Sequence, residues 1–161
     1  MSCLNGRLLM IGLAAVLLPA AAMAAPMADT PAAKEKAYFA KTGREAGVTA
    51  LPGLTYRVLK AGPADGTHPA RFDTVTVHYI GKLTDGTQFD ASGGDGTGEA
   101  SFKVSEVIAG FSAALKLMRP GDQWRIYIPA YLAYGDQAKP KIPPGSTLVF
   151  DLELISIAPK D

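Results

Sequence analysis

Thiols are all but missing from this chain: one of its 161 residues is cysteine, Cys3. A lone cysteine excludes an internal disulfide, and the only two histidines, His68 and His78, have no partners at the spacing of a zinc site or a catalytic triad. Charge excess is missing too, with 16 Lys and Arg against 15 Asp and Glu. A chain near neutrality, without a basic run, has little with which to neutralise phosphates, so a nucleic-acid partner is not expected. No G-x-S-x-G elbow is present. The glycine-rich "GGDGTG", Gly93 to Gly98, is followed by Glu99 and Ala100 instead of the lysine and hydroxyl residue of a phosphate loop. Within it Asp95 alone cannot supply the several oxygens that calcium needs. The expectation is therefore a chain with no cofactor and no metal ion.

Long hydrophobic runs are confined to the N-terminus. Arg7, the apolar run Leu8 to Leu18, and the small residues up to Ala22-Met23-Ala24 have the layout of a secretory signal peptide over residues 1–24. The run is too short to remain as a membrane span. Its removal would take Cys3 with it and, through Arg7, bring the basic count from 16 to 15, equal to the acidic count of 15. Periplasmic residence is predicted, with full secretion as the alternative. Residues 25–50 read as a leader in which Thr30 and Pro31 open a helix and Gly47 stops it. Its apolar stripe is thin, which predicts a solvated or loosely docked helix and a monomer.

From residue 51 to 161 the pattern is that of one domain. Period-two alternation marks "LTYRVLK", "DTVTVHYIGKL", "TQFD", "SFKV", "QWRIYIP" and "STLVFDLELI" as strands, with Asp85-Gly86 at a hairpin turn. Only "EVIAGFSAALKLMRPG" breaks it, spacing Val107, Phe111, Ala114, Leu115 and Met118 as one helical face that ends at Pro120-Gly121. That face has to be buried, and the sheet is the one large partner available. The predicted fold is α+β, a twisted antiparallel sheet of about five strands wrapped around one short helix. A long excursion, "AYLAYGDQAKPKIPPG", runs between the last two strands. Asp151 and Glu153 share a strand face opposite the apolar one and read as solvated surface in preference to a catalytic carboxylate pair. Trp124 and Phe102 read as ordinary core, whereas Tyr134, an aromatic in a loop, either pins the loop or borders a pocket.

Four stretches, "VHYIGKLTDGTQFDAS", "FKVSEVIAGF", "PAYLAYG" and "IPPGSTLVFDLELI", resemble the FKBP-type peptidyl-prolyl cis-trans isomerases, in particular their exported bacterial branch, across roughly Leu51 to Ile157. The resemblance implies a pocket whose catalytic residues are Tyr79, Phe89, Asp90, Tyr134 and Phe150, with Val107, Ile108, Phe111 and Ile142 binding substrate. It implies rotation about X-Pro bonds in exported proteins, proline-containing polypeptides as clients, and macrolide inhibitors as a second ligand class. The alternative is a proline-binding chaperone module with little turnover. Three departures bear on efficiency and inhibitor affinity: Phe111 where the family commonly has tryptophan, Ala109 where proline is frequent, and Ala100 where an aromatic is frequent.

Overall fold

The structure is a computed structural model and describes residues 30–158, so the predicted signal peptide, 1–24, lies outside the described residues. Helix α1, Pro31–Thr42, opens as the sequence predicts. Thr30 caps it by accepting the Ala33 N–H at 3.2 Å, and Pro31 occupies the first turn. It closes earlier than predicted, at Gly43, whose N–H donates to Phe39 O at 2.9 Å. Gly47 is instead the left-handed turn residue, φ 78°, that feeds strand β1, Val48–Leu51. The sheet thus begins inside the segment read as leader. This strand is largely exposed, so no hydrophobic alternation marks it; backbone pairing with its neighbour makes it.

Strands β2, Leu54–Lys60; β3, Thr74–Leu83; β4, Gln88–Ala91; and β5, Ala100–Lys103 precede helix α2, Ala109–Leu115; β6, Gln123–Ile128, and β7, Leu148–Ile157, follow it. All pair antiparallel in one seven-stranded sheet, β1-β2-β6-β7-β3-β4. β5 shares the outer edge of β3 with β4, taking Thr74 to Val77 while β4 takes Ile80 to Lys82. The class is the predicted α+β; the described residues form seven strands against about five predicted, and β1 is the one that no stretch read as a strand covers.

The inward residues of β3, β6 and β7 are Val75, Val77, Trp124, Ile126, Ile128, Leu148, Phe150, Leu152 and Leu154, all buried. Against them α2 sets Phe111, Ala114 and Leu115, with Met118 just beyond, so the predicted helical face is the buried one. Full burial of one such aliphatic side chain stabilises by about 1.5–3 kcal/mol. Gly110 lets the helix sit directly on β6, because a Cβ there would collide with Ile128.

α1 is not loosely docked. Its Glu35 carboxylate accepts two hydrogen bonds from the excursion, Tyr38 packs near Tyr127 with centroids 6.2 Å apart, and Thr42 is buried. Asp151 is likewise not simply solvated. It stands opposite Arg125 in the β6–β7 register and accepts a bidentate pair of bonds from it at 2.6 and 3.0 Å. That bonding raises the Arg125 pKa against the effect of burial.

Candidate active site

Tyr79 and Gly81 lie on one face of β3, directly across from Leu152 and Phe150 of β7. Gly81 is also across from Asp90 of β4. A Cβ on Gly81 would stand 2.7 Å from the Phe89 ring and 2.8 Å from the Phe150 ring. The absence of a side chain therefore lets two phenylalanines meet over the backbone. They do so edge to face, centroids 5.5 Å apart and planes at 88°.

Phe150 is the hub of the cluster. Phe111 meets it at 5.2 Å and 82°, Tyr79 at 6.3 Å, and Tyr79 in turn meets Phe111 at 6.1 Å and 84°. Together with Phe102, Glu106, Val107, Ile108, Asp90 and Tyr134 these rings line a hollow of about 300 Å³. Each wall has a distinct source. The hairpin of β3 and β4 brings Tyr79, Phe89 and Asp90; the start of α2 brings Val107, Ile108 and Phe111; β7 brings Phe150. A 3-10 turn at Ala130–Leu132 leads into Tyr134.

Of the nine site residues that the sequence suggests, eight meet in this hollow. Ile142 does not line it; it is buried in the core and bridged to Lys139. Sequence reasoning overlooked three others. Phe102 counted as ordinary core, yet it is only partly buried and lines the hollow beside Tyr79, 6.0 Å between centroids. Glu106 stands on the rim, ion-paired with Lys103 at 3.6 Å. Gly81 could be found only once register was known.

The polar part of the wall is small and mutually bonded. The Tyr79 hydroxyl donates to Asp90 Oδ2 at 2.8 Å, and Asp90 Oδ1 accepts the Ala91 N–H at 2.9 Å. Burial and then the bond to Asp90 push the Tyr79 phenol well above its ordinary range, so it stays a donor at any physiological pH. Ser92, buried, fastens the end of the hairpin by accepting the Tyr79 N–H at 3.0 Å. The Tyr134 ring, with Lys139 Nζ at 5.6 Å from its centroid, closes the opposite side.

Neither histidine belongs to the hollow. His78 Nδ1 donates to Gly98 O at 2.8 Å and holds the glycine-rich loop; His68 Nδ1 donates to Met118 O at 3.1 Å. In that loop Asp95 accepts from Thr97 N and Oγ1, bonds that lower its pKa, and so caps its own turn. Among the described residues no group of three or more His, Cys, Asp or Glu could hold a metal ion.

Residues 65–155, more than half of the chain, match the FKBP-type peptidyl-prolyl cis-trans isomerase family. The chain belongs to that family. This FKBP-type chain is 46% identical over 128 residues to an FKBP-type 22 kDa peptidyl-prolyl cis-trans isomerase of Escherichia coli, a match covering 78% of this chain and 61% of that one. It is 42% identical over 132 residues to the outer membrane protein MIP of Legionella longbeachae, covering 81% and 55%. It spans about half the length of such relatives. The FKBP fold is also that of two solved structures. Escherichia coli FkpA aligns at a TM-score of 0.74 with 43% identity, over 80% of this chain and 60% of that one. A Pseudomonas syringae peptidyl-prolyl cis-trans isomerase aligns at 0.74 with 34% identity, over 82% and 96%.

Proposed function

We propose that this FKBP-type chain is a peptidyl-prolyl cis-trans isomerase for proline-containing polypeptides of the bacterial envelope. The single observation that carries the reading is the hollow itself: six aromatic rings and two aliphatic side chains around about 300 Å³, with no serine, cysteine, histidine or lysine in its wall. Such a wall suits a reaction in which no covalent bond breaks. The barrier to rotation is amide resonance, about 18–20 kcal/mol, and in X-Pro bonds it makes exchange take tens to hundreds of seconds.

The planar amide is the more polar state, because conjugation places charge on its oxygen. Rotation removes that conjugation, so the half-rotated bond gains less from water than the planar one. An apolar cleft withholds solvation from the planar state and thereby favours the rotated one, which is differential binding of the transition state. In this reading Val107, Ile108 and Phe111 seat the prolyl ring, and Phe89 and Phe150 flank the rotating bond. The Tyr134 hydroxyl and the Ile108 N–H donate to the substrate backbone. Asp90, held by Tyr79, is the polar wall and transfers no proton. Ile142 supports the packing from the core. Macrolide inhibitors would share the same hollow, with the smaller Phe111 ring giving it a shallower floor.

The envelope location is supported by the layout of residues 1–24 and by the MIP relative, which is named an outer membrane protein. No helix among the described residues is long and apolar enough to cross a membrane. We assign the isomerase domain to the chain from Val48 onward, where the sheet begins, instead of from residue 51, with α1 docked against it, in a monomer.

A protease-coupled assay on a proline tetrapeptide tests the reading. The parent is expected to accelerate isomerisation, Phe150→Ala to lose about a hundredfold or more in kcat/KM, and Asp90→Ala to lose about tenfold. Absence of acceleration by the folded parent, with client aggregation suppressed, would move the chain to the chaperone-module reading.

A further inference from the structure

The Glu35 side chain of α1 reaches the two ends of the excursion between β6 and β7. Its Oε2 accepts the Ala130 N–H at 2.7 Å and the Thr147 Oγ1–H at 2.9 Å. Ala130 and Thr147 are the second residue after β6 and the last before β7, so one carboxylate oxygen clasps the loop at its base. Both bonds are to a carboxylate and partly shielded from water, the setting in which such bonds are strongest.

From that base the bonding runs on to Tyr134. The Ala130 carbonyl accepts the Gly135 N–H at 2.8 Å, and the Gly135 carbonyl accepts the Gly145 N–H at 2.8 Å. Gly145 stands two residues before Thr147, which returns to Glu35. The result is a closed circuit, Glu35 to Ala130 to Gly135 to Gly145 to Thr147 and back, with Tyr134 beside one of its nodes. Gly135 and Gly145 both have positive φ, 57° and 69°, as the two sharp bends require. Pro31 of α1 closes on the second bend, since a Cβ on Gly145 would lie 2.9 Å from its Cβ.

We propose that Glu35 is a positioning residue for the isomerase: through this circuit it fixes the loop that presents the Tyr134 hydroxyl to the hollow. The assignment rests on the isomerase reading above. It gives the leader helix a role in turnover although α1 contributes no residue to the hollow. A displacement of the loop by about an ångström is enough to lower turnover strongly, because a donor works only at its productive geometry.

The test is a cycle of Glu35→Ala and Tyr134→Phe in the full chain, read by kcat and KM separately and by amide hydrogen exchange at Gly135 and Gly145. Glu35→Ala is expected to lower kcat/KM about tenfold, mainly in kcat. Glu35→Gln keeps an accepting oxygen and should stay within about threefold of the parent. In the Tyr134→Phe background Glu35→Ala should cost less than about twofold more, because the group it positions is gone. Exchange at Gly135 and Gly145 should quicken in Glu35→Ala whatever the turnover. Should Glu35→Ala fail to fold, Thr147→Val removes one donor only and enters the same cycle. Equal losses in both backgrounds, or unchanged exchange at both glycines, would overturn the role of Glu35 alone. A folded parent without isomerase activity would overturn the isomerase reading, and with it the task given to Tyr134.

Discussion

Gly81 shows how one missing side chain shapes the hollow. Two rings occupy the space that its Cβ would take, 2.7 and 2.8 Å away, and neither can retreat without disturbing the Phe150 cluster. Gly81→Ala should therefore destabilise by about 1–3 kcal/mol through overpacking and, by driving Phe89 or Phe150 into the hollow, lower kcat/KM as well. Gly86→Ala is the matching control. It meets nothing within 4 Å but sits at φ 90°, so it should lose about 1 kcal/mol or more of stability with kcat/KM unchanged. Thermal unfolding and the peptide assay together separate the two effects. The residue scale also fixes a pH dependence. Folding raises the Tyr79 pKa, so the folded state keeps a proton that the unfolded chain releases near pH 10. Its contribution is whole below about pH 10 and is lost as pH rises from there through the folded value. Stability of the parent should thus fall more steeply above about pH 10 than that of Tyr79→Phe, while kcat/KM stays level between about pH 6 and 9, since nothing in the mechanism gains or loses a proton.

At the scale of elements, legibility follows burial. β3, β6 and β7 carry inward residues at period two and α2 carries its stripe at helical spacing, so all four can be read from hydrophobic pattern alone. β1 has one partly buried residue and three exposed ones; only its ladder with β2 makes it a strand, and a ladder leaves no trace in a single sequence. The same holds for the docking of α1. Its apolar stripe is thin, and what fastens it is Glu35, a residue type that usually stands for a solvated helix face. Eight of the nine residues suggested for the site converge because they stand on elements with strong patterns or in motifs that the family shares. Phe102 was hidden by its ordinary alternation with Val104. Ile142 belongs to the part of the excursion where pattern fails, and its side chain turns into the core.

For the whole molecule, a single sheet does two jobs. Its inward face packs on α2 to make the core, and the end of that core where Gly81 removes a side chain opens into the aromatic hollow. Rigid strands on one side and the clasped excursion on the other hold the rings at fixed mutual angles, so little reorganisation is required when a prolyl segment enters. In the proposed isomerase reading, the catalytic tool is the shaped, poorly hydrating wall of that hollow. The most direct test of that claim is cis–trans exchange spectroscopy of an unlabelled-host proline peptide with catalytic amounts of the chain, beside Phe89→Ala. The account predicts exchange cross-peaks at sub-second mixing times with the parent, strongly weakened with the variant, and no deuterium solvent isotope effect on either rate. Exchange that is no faster than in buffer, or that proceeds equally well without the Phe89 ring, would contradict it.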